Sequence, residues 1–254
     1  MQPTDSRLSG FSINLLTLMY HRGVAGPDGN SREMLDAHFA HISRHYECVL
    51  PGEPLRRDRL SVCLTFDDGY FDFYHVVFPL LQKHSLRVLL AISPGLVPER
   101  STRSAAERLR LPAGEDYPHR SPDGFATWSE LRELARSGRV KFAAHGLTHA
   151  ALDDPAADLR REVLQSGLIL EEKLETPVDS FVYPYGRFSR TAHALVRENY
   201  RYAFRIGHAG NFDWNAPLLY RISADNLPTP AAPFARSSRR RYFCRALWNR
   251  LRAR

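Results

Sequence analysis

Two short motifs in this 254-residue chain contain the side chains that bind divalent metal ions. The first is Asp67-Asp68 followed by Gly69, and the second is the pair His145 and His149. Two adjacent carboxylates are costly to keep ionised unless a cation lies beside them. Two imidazoles four residues apart fall on one face of a helical turn, where both can bind one ion. The motifs therefore predict a site of two histidines and one aspartate, with open positions for water.

Such a site suits Zn²⁺ or a similar divalent ion. The spare carboxylate is then the general base for the attacking water, as in a metal-dependent hydrolase. Each motif also has an ordinary structural interpretation. An Asp-Gly turn commonly caps a helix, and among eleven histidines some pair at this spacing is expected by chance. His41 and His45 are such a pair, on a predicted amphipathic helix with no carboxylate motif nearby, and we interpret them as structural or solvent-facing.

Apolar runs alternate with helical patterns along the chain. The apolar runs predict strands at residues 12–20, 60–66, 87–93, 140–144, 180–183, 202–206 and 219–223. Helical spacing predicts helices at residues 34–46, 71–84, 127–137, 158–174 and 191–199. Residues 94–124 are rich in Pro, Gly and charged residues, and they predict a long surface loop or insertion.

Strands separated by helices imply a parallel sheet, and for this length we expect an α/β fold with a closed or partly closed β/α barrel. The barrel would be a single domain at residues 1–235, followed by a basic tail at residues 236–254. The two motifs and Tyr185 follow successive strands, and the carboxyl ends of barrel strands are where active sites lie. A doubly wound open sheet would place its site at the same edge. The position therefore supports chemistry under either topology.

The net charge of +7 is a property of the tail. Residues 236–254 contain eight arginines and no acid, so residues 1–235 are close to neutral. The fold thus lacks the general basic surface of a nucleic-acid binder, and we expect no nucleic-acid partner. Phe243, Leu247, Trp248 and Leu251 fall on one helical stripe among the arginines, a pattern typical of a helix in an anionic membrane interface. A helix packed on the barrel and a solvated tail are the alternatives.

The cysteines and the N-terminus bear on the compartment. Cys48, Cys63 and Cys244 form no C-x-x-C pair, which argues against a disulfide scaffold or a thiolate zinc site. The first residues lack the basic start and long apolar run of a signal peptide, and no segment is suited to span a bilayer. We therefore expect a cytoplasmic protein, at the inner face of the membrane if the tail binds lipid.

From Leu18 to Ile222 the chain resembles a known family, the polysaccharide deacetylases with a NodB-homology domain, which are the fourth family of carbohydrate esterases. The similar segments are MYHR at residues 19–22, TFDDG at 65–69, WSEL at 128–131, HGLTH at 145–149 and FVYPYG at 181–186. Each is a weak to moderate signal, but their order and spacing make them strong together. The resemblance implies a distorted (β/α)₇-type barrel, and it is greatest to the poly-N-acetylglucosamine deacetylase-like branch.

Carried over to this chain, the resemblance implies a role for each site residue. Asp67 would be the catalytic base, and Asp68, His145 and His149 would bind the metal. Tyr185 would offer its backbone N–H to the oxyanion that develops in the tetrahedral transition state.

Three positions depart from the family pattern. Val182 stands where many members carry an arginine that tunes the catalytic aspartate, and Gly146 stands where Ser or Thr is frequent. The late leucine-x-histidine motif, which supplies the general acid in many members, reads Leu-Tyr-Arg at residues 219–221. The poly-N-acetylglucosamine branch lacks this motif too and uses the histidine of the early strand. That histidine is His21 here, and His208 is the alternative.

These features predict a metal-dependent hydrolase that removes N-acetyl groups from an amino-sugar polysaccharide, oligosaccharide or lipid-linked glycan. Two alternatives stay open: an esterase acting on O-acetyl groups of carbohydrate, and a catalytically silent carbohydrate-binding relative. The presence of all three predicted ligands together with Asp67 favours an active enzyme.

Overall fold

A computed structural model describes residues 13–56, 58–111 and 121–252. The strands are β1 (Leu15–Tyr20), β2 (Glu47–Cys48), β3 (Ser61–Phe66), β4 (Val88–Ile92), β5 (Val140–Ala144), β6 (Ser180–Val182), β7 (Tyr202–Ile206) and β8 (Leu219–Ser223). The α-helices are α1 (Arg32–His45), α2 (Phe78–Lys83), α3 (Ala105–Leu109), α4 (Trp128–Arg136), α5 (Ser166–Leu174), α6 (Arg190–Asn199) and α7 (Arg236–Arg252). A π-helical turn leads into α2 and another into α5; these turns are Phe73–Val77 and Arg161–Gln165.

Seven of these strands close into a parallel barrel. They pair in the order β1-β8-β7-β6-β5-β4-β3, and β1 pairs with β3 along its whole length, from Leu15 beside Ser61 to Tyr20 beside Phe66. The short β2 pairs with the first two residues of β3 and adds an eighth strand to the sheet. The prediction of a (β/α)₇-type barrel is therefore confirmed.

The strands separate two apolar clusters. The inner cluster fills the barrel with residues from alternate strand positions: Leu15, Cys63, Leu89, Ala91, Ala143, Val182, Phe204 and Leu219, with Val49 and Trp214 packed against them. The intervening strand residues, such as Leu16 and Leu64, belong to the outer cluster, which also contains the buried faces of the helices. This separation follows from the alternation of side chains across a strand.

The same alternation positions the candidate site. Residues an even number of positions after an inward-facing apolar residue also face the barrel interior, nearer the carboxyl end of the strand. From Leu15, Cys63, Ala143 and Leu219, these series reach polar side chains toward the carboxyl ends of their strands: His21, Asp67, His145 and Arg221.

Each of the seven predicted strands is confirmed, with bounds that differ by a few residues. The strand β2 was not predicted, because two residues carry no periodic pattern. Within the predicted loop at residues 94–124, the chain forms α3, whose start is a capping box between Ser104 and Glu107. Residues 112–120 of that predicted loop, and the predicted start of β1 at residue 12, lie outside the described residues.

The tail forms the helix α7 (Arg236–Arg252), and its association with a membrane stays a prediction. The helix packs on the barrel through Ser238, Tyr242 and Ala246, which are less than 10% exposed. Trp248 and Leu251 project outward and are 54% and 68% exposed. Among the described residues, no helix combines the length and the apolar character needed to cross a bilayer.

Candidate metal centre and active site

Asp68, His145 and His149 bring three ligand atoms together. Oδ1 of Asp68 lies 3.6 Å from Nε2 of His145 and 3.4 Å from Nε2 of His149, and all three side chains are buried. Ligands bonded at about 2.1 Å in a tetrahedral zinc site are separated by roughly 3.4 Å, so this spacing fits one ion. Two imidazoles and a carboxylate are also a donor set that divalent transition ions accept. The structure therefore assembles the three predicted ligands into a cluster that fits a metal.

The two histidines lie on a loop, so the predicted helical turn is wrong. Residues 145–149 have no helical hydrogen bonds, and φ is +73° at Gly146 and +63° at His149. Glu162, which is 4% exposed, holds this loop from the π-helical turn before α5. Its carboxylate accepts hydrogen bonds from the N–H of Leu147 at 2.8 Å, the N–H of Thr148 at 3.0 Å and the Thr148 hydroxyl at 2.7 Å. The loop, rather than helical periodicity, brings the two imidazoles together.

Glu162 also accounts for one departure from the family pattern. A Cβ atom on Gly146 would lie 2.8 Å from Oε2 of Glu162, and the positive φ disfavours any side chain there. A serine or threonine at this position would therefore displace the buried carboxylate. The hydrogen bonds that Leu147 and Thr148 donate to Glu162 stabilise the loop instead.

A backbone contact orients the ring of His145. Its Nδ1 lies 2.7 Å from the carbonyl oxygen of Val182, at the end of β6. Because a carbonyl oxygen only accepts, Nδ1 carries the hydrogen, and Nε2 is the ring nitrogen left facing Asp68 for a metal. The main chain of β6 thus fixes the tautomer that a metal ligand requires.

Asp67 makes a bidentate ion pair with Arg221. Nη1 and Nη2 of the guanidinium lie 2.6 Å and 2.8 Å from the two carboxylate oxygens, and the side chains are 1% and 3% exposed. Burial by itself raises the pKa of Asp67, but the charge of Arg221 and its hydrogen bonds, with His145 and His21 nearby, hold it well below its usual range. Asp67 is therefore an ionised carboxylate, available to accept a proton.

The same arginine contacts the barrel wall. Nη1 of Arg221 also donates to Oγ1 of Thr65 at 3.2 Å, and Thr65 donates to the carbonyl oxygen of Leu18 at 3.0 Å. The guanidinium is therefore fixed between β8, β3 and β1. Arg221 thus pairs with Asp67 from β8, although Val182 stands at the position where many members of the family carry an arginine.

His21 lies between two carboxylates. Its Nδ1 is 2.7 Å from Oδ2 of Asp225, its backbone N–H donates to Oδ1 of Asp225 at 3.0 Å, and its Nε2 is 3.9 Å from Oδ2 of Asp67. Burial lowers the pKa of His21, but the hydrogen bond to Asp225 and the charges of Asp67 and Asp68 outweigh that effect and raise the pKa to about 9. The ring is therefore protonated at neutral pH and points its second nitrogen into the site.

One cavity of about 330 Å³ joins these groups, and its lining includes His21, Asp67 and all three candidate ligands. Tyr185 forms part of its wall, where the Tyr185 ring packs edge-on against His149 at a centroid distance of 4.6 Å. The backbone of Tyr185 has a φ of +56° inside the Pro184–Gly186 turn that follows β6. Tyr185 thus lies beside the three candidate metal ligands, and the oxyanion role of its N–H stays a prediction.

His208 lines the same cavity but has different surroundings. Burial lowers its pKa, and the charges of Arg245 and Arg241 lower it further, so the ring is neutral at pH 7. His21, by contrast, is protonated and held by Asp225. The geometry therefore favours His21 over His208 as a proton donor.

Sequence reasoning missed three residues that shape the site: Arg221, Asp225 and Glu162. Arg221 and Asp225 follow the alternation of β8 into the barrel interior, so the spacing from Leu219 was a usable signal. Glu162 has no comparable signal, because a glutamate on a predicted helix is ordinarily solvent-exposed. The pair His41 and His45 stands apart from the site, with the two rings packed on each other.

Comparison with known proteins gives one family match and several structural neighbours. Residues 56–203 match the family described as polysaccharide deacetylase. The chain is 30% identical over 215 residues to a poly-β-1,6-N-acetyl-D-glucosamine N-deacetylase from Escherichia coli (strain K12). That match covers 74% of this chain and 30% of the relative, so this chain spans only about a third of the relative's length.

Two solved structures share the fold. A de-N-acetylase from Aggregatibacter actinomycetemcomitans superposes with a TM-score of 0.69 at 19% identity, covering 90% of this chain and 99% of that one. IcaB from Ammonifex degensii gives a TM-score of 0.66 at 19% identity, covering 92% of this chain and 97% of that one. At this identity the likeness concerns the fold alone.

Proposed function

The chain belongs to the polysaccharide deacetylase family, and we propose that it is a metal-dependent hydrolase that removes N-acetyl groups from amino sugars in a polysaccharide, oligosaccharide or lipid-linked glycan. One observation carries this proposal: an ionised Asp67 adjoins a buried Asp68, His145 and His149 cluster in a single cavity. The E. coli relative, a poly-β-1,6-N-acetyl-D-glucosamine N-deacetylase, supports an N-acetylglucosamine polymer as the first substrate to test.

We propose Zn²⁺ as the ion held by Asp68, His145 and His149. Two neutral imidazoles and one carboxylate, with further positions left to solvent, are typical of a catalytic zinc site, although other divalent ions accept the same donors. When bound, the ion supplies Lewis-acid polarisation of the acetamide carbonyl and of the attacking water. The family's general dependence on a metal supports a divalent ion at this cluster, and the choice of Zn²⁺ rests on the donor set.

Asp67 is the general base in this proposal. Its carboxylate takes a proton from water as the water oxygen bonds to the acetyl carbon. Arg221 keeps the carboxylate ionised and aimed, since its two hydrogen bonds leave little rotational freedom. The backbone N–H of Tyr185 donates to the carbonyl oxygen as that oxygen gains negative charge.

His21 is the general acid. As the carbon–nitrogen bond breaks, Nε2 of His21 gives a proton to the sugar nitrogen, so that the products are acetate and an amino sugar. Asp225 holds the ring through Nδ1 and stabilises its protonated form, which is the form a proton donor needs. An amine is a poor leaving group without protonation, whereas an O-acetyl ester requires less help. The protonated His21 therefore supports amide hydrolysis over the esterase alternative.

We propose in addition that the protein is cytoplasmic and associates peripherally with an anionic membrane through α7. The outward Trp248 and Leu251 and the arginines of this helix support the association. A substrate carried on a lipid would then be deacetylated at the inner face of the membrane.

Release of acetate tests the proposed activity. Purified protein reconstituted with Zn²⁺ is incubated with poly-N-acetylglucosamine, with N-acetylated oligosaccharides and with O-acetylated xylan, and acetate is quantified. We expect release from N-acetylated substrates, and loss of that release in the matched variant Asp67→Asn. Release from the O-acetylated substrate alone would identify an esterase. Binding of the N-acetylated polymers without release of acetate would identify a silent relative.

A further inference from the structure

The outward face of α7 differs from the rest of the described surface. Three tryptophans are present in the chain, and Trp128 and Trp214 are 3% and 8% exposed, whereas Trp248 is 54% exposed. Leu251, one turn away, is 68% exposed. A large aromatic and a leucine side by side in solvent mark an interaction surface more often than isolated apolar residues do.

Helical geometry separates this face from the packed one. At 100° per residue, Leu247, Leu251 and Trp248 project within about 100° of one another. Tyr242 and Ala246 project from the opposite side and are buried against the barrel. The two most exposed apolar residues, Trp248 and Leu251, therefore project away from the face that Tyr242 and Ala246 bury against the barrel.

Arginines surround the apolar residues. Arg236 projects on one side of the stripe, Arg241 and Arg245 project on the other side, and Arg240 lies between Leu247 and Leu251; all four arginines are exposed. Residues 236–254 contain no acidic residue, so the helix itself offers these guanidinium groups no carboxylate. The charge is complementary to a polyanion, and the apolar stripe is complementary to the boundary between lipid headgroups and acyl chains.

We propose that this face of α7 is the membrane-docking surface, with Trp248 and Leu251 inserted among the headgroups of an anionic phospholipid bilayer. The inference rests on the peripheral membrane association proposed above and specifies its residues and orientation. A nucleic acid would satisfy the arginines but would leave Leu251 without an apolar partner. We therefore favour lipid, which satisfies both groups.

Docking through α7 would fix the orientation of the active site. The helix is held to the barrel by Tyr242 and Ala246, by a hydrogen bond from the N–H of Gly210 to the carbonyl oxygen of Tyr242, and by Arg250 over the ring of Phe212.

The middle of α7 also lies close to the active-site cavity. Gly210, whose N–H donates to the carbonyl oxygen of Tyr242 in α7, follows His208 by two residues, and His208 lines the cavity. The charges of Arg241 and Arg245 in this part of α7 lower the pKa of His208. The cavity would therefore open beside the bilayer, where the glycan portion of a lipid-linked substrate extends.

Tryptophan fluorescence of the full chain tests this surface directly, because Trp248 is the exposed tryptophan. The protein is mixed with phosphatidylcholine vesicles containing 30% phosphatidylglycerol (about this fraction gives a clear negative surface), and separately with pure phosphatidylcholine vesicles. We expect a blue shift and quenching by brominated acyl chains with the anionic vesicles only. Cosedimentation without quenching would show that another face binds and would refute the docking surface.

Paired variants identify the residues. Replacing Arg236 and Arg240 with glutamine should weaken vesicle binding by roughly 25-fold, since each arginine near an anionic surface contributes about fivefold. The control Arg160→Gln/Arg161→Gln makes the same change in net charge on two exposed arginines at the start of the π-helical turn that leads into α5. It should change vesicle binding less than twofold.

The contribution of the exposed apolar residues is tested with a second pair of variants. Trp248→Ala/Leu251→Ala should weaken vesicle binding on the order of tenfold or more. Leu168→Ala removes from α5 a leucine that is 64% exposed, close to the 68% of Leu251, and should have no effect on vesicle binding. Equal losses in the α7 and α5 variants would refute the docking surface.

Two further outcomes separate the proposals. Failure of the unmodified protein to bind any vesicle would refute both the membrane association and its docking surface, while acetate release from soluble substrate would still report on the deacetylase. Arginine-dependent binding of a DNA duplex, without binding to vesicles, would show that α7 recognises nucleic acid and would refute lipid docking.

Discussion

Replacing Arg221 with methionine removes the only cation that makes hydrogen bonds to Asp67 within the described chain. Methionine fills much of the same volume and is flexible enough to avoid a clash. The change leaves the carboxylate of Asp67 buried at 3% exposure without its bidentate partner. Burial is the largest influence on this carboxyl and raises its pKa, so removal of the guanidinium should shift the pKa of Asp67 upward.

The expected size of the shift in the pKa of Asp67 follows from the burial of both Asp67 and Arg221. Breaking a buried ion pair by removing one member costs about 3–5 kcal/mol, and each pH unit of displacement corresponds to about 1.4 kcal/mol. The acid limb of kcat/KM should therefore move to higher pH by about 2 units or more. The pH dependence of the free energy of unfolding follows from the same pKa shift. In the native protein the low pKa of Asp67 contributes stability above its unfolded value, and that contribution is lost as pH falls. In the Arg221→Met variant the higher pKa of Asp67 removes part or all of that contribution, so the loss of stability relative to the native protein is largest near neutral pH.

The assay is a pH–rate profile of acetate release, with thermal denaturation at each pH. Arg108→Met is the matched control, because Arg108 is 6% exposed and forms a bidentate pair with Glu130 outside the active site. It should destabilise the fold without moving the acid limb. Arg221→Lys keeps the charge but not the paired geometry, and should give an intermediate shift. An acid limb at the same pH in Arg221→Met and in the native protein would refute the proposed control of Asp67 by Arg221.

Other expectations concern the ligands, the proton transfers and the loop. Alanine in place of any one of the three proposed ligands should abolish stoichiometric metal binding measured by elemental analysis, and retention of metal in all three variants would contradict the assignment. Asp67→Asn should keep the metal and lose turnover. His21→Ala should keep the metal and lower kcat by about 10²–10⁴-fold. In the native enzyme, activity should fall as pH rises through about 9, where His21 loses its proton. Full activity in His21→Ala together with loss of activity in His208→Ala would identify His208 as the general acid. Glu162→Gln keeps the shape of the side chain but weakens its hydrogen bonds with the 145–149 loop. Metal affinity, measured by competition titration with a chelator, should therefore fall by about 10-fold or more. Unchanged affinity would show that the loop keeps its conformation without Glu162.

The sequence was sufficient for the seven strands of the barrel and for the three residues that form the candidate metal cluster. Hydrophobic periodicity is a property of five to fifteen neighbouring residues, so runs such as Val140–Ala144 and Tyr202–Ile206 could be read with their observed bounds. The carboxyl ends of parallel strands meet at one rim, and this rule alone brought Asp68 and His145 to the same site. The donor types then limited the chemistry to a divalent ion.

Tertiary structure decided how these groups are shaped and charged. Asp67 and Arg221 are separated by 154 residues, and His21 and Asp225 by 204, so both pairs exist only because closure of the barrel places β1 between β3 and β8. The family pattern directed attention to residue 182 for the arginine, yet a guanidinium on a long side chain can reach the same carboxylate from another strand across the barrel interior.

The conformation of the loop at residues 145–149 also depends on tertiary contacts. Its spacing suggested a helical turn, but the conformation depends on three hydrogen bonds to Glu162, and Gly146 leaves the space that this carboxylate occupies. Periodicity and motif spacing are local and were legible in the sequence. Counter-charges and loop conformations depend on residues that become neighbours only when the barrel closes, because electrostatic and hydrogen-bonding partners are selected by distance in space rather than along the chain.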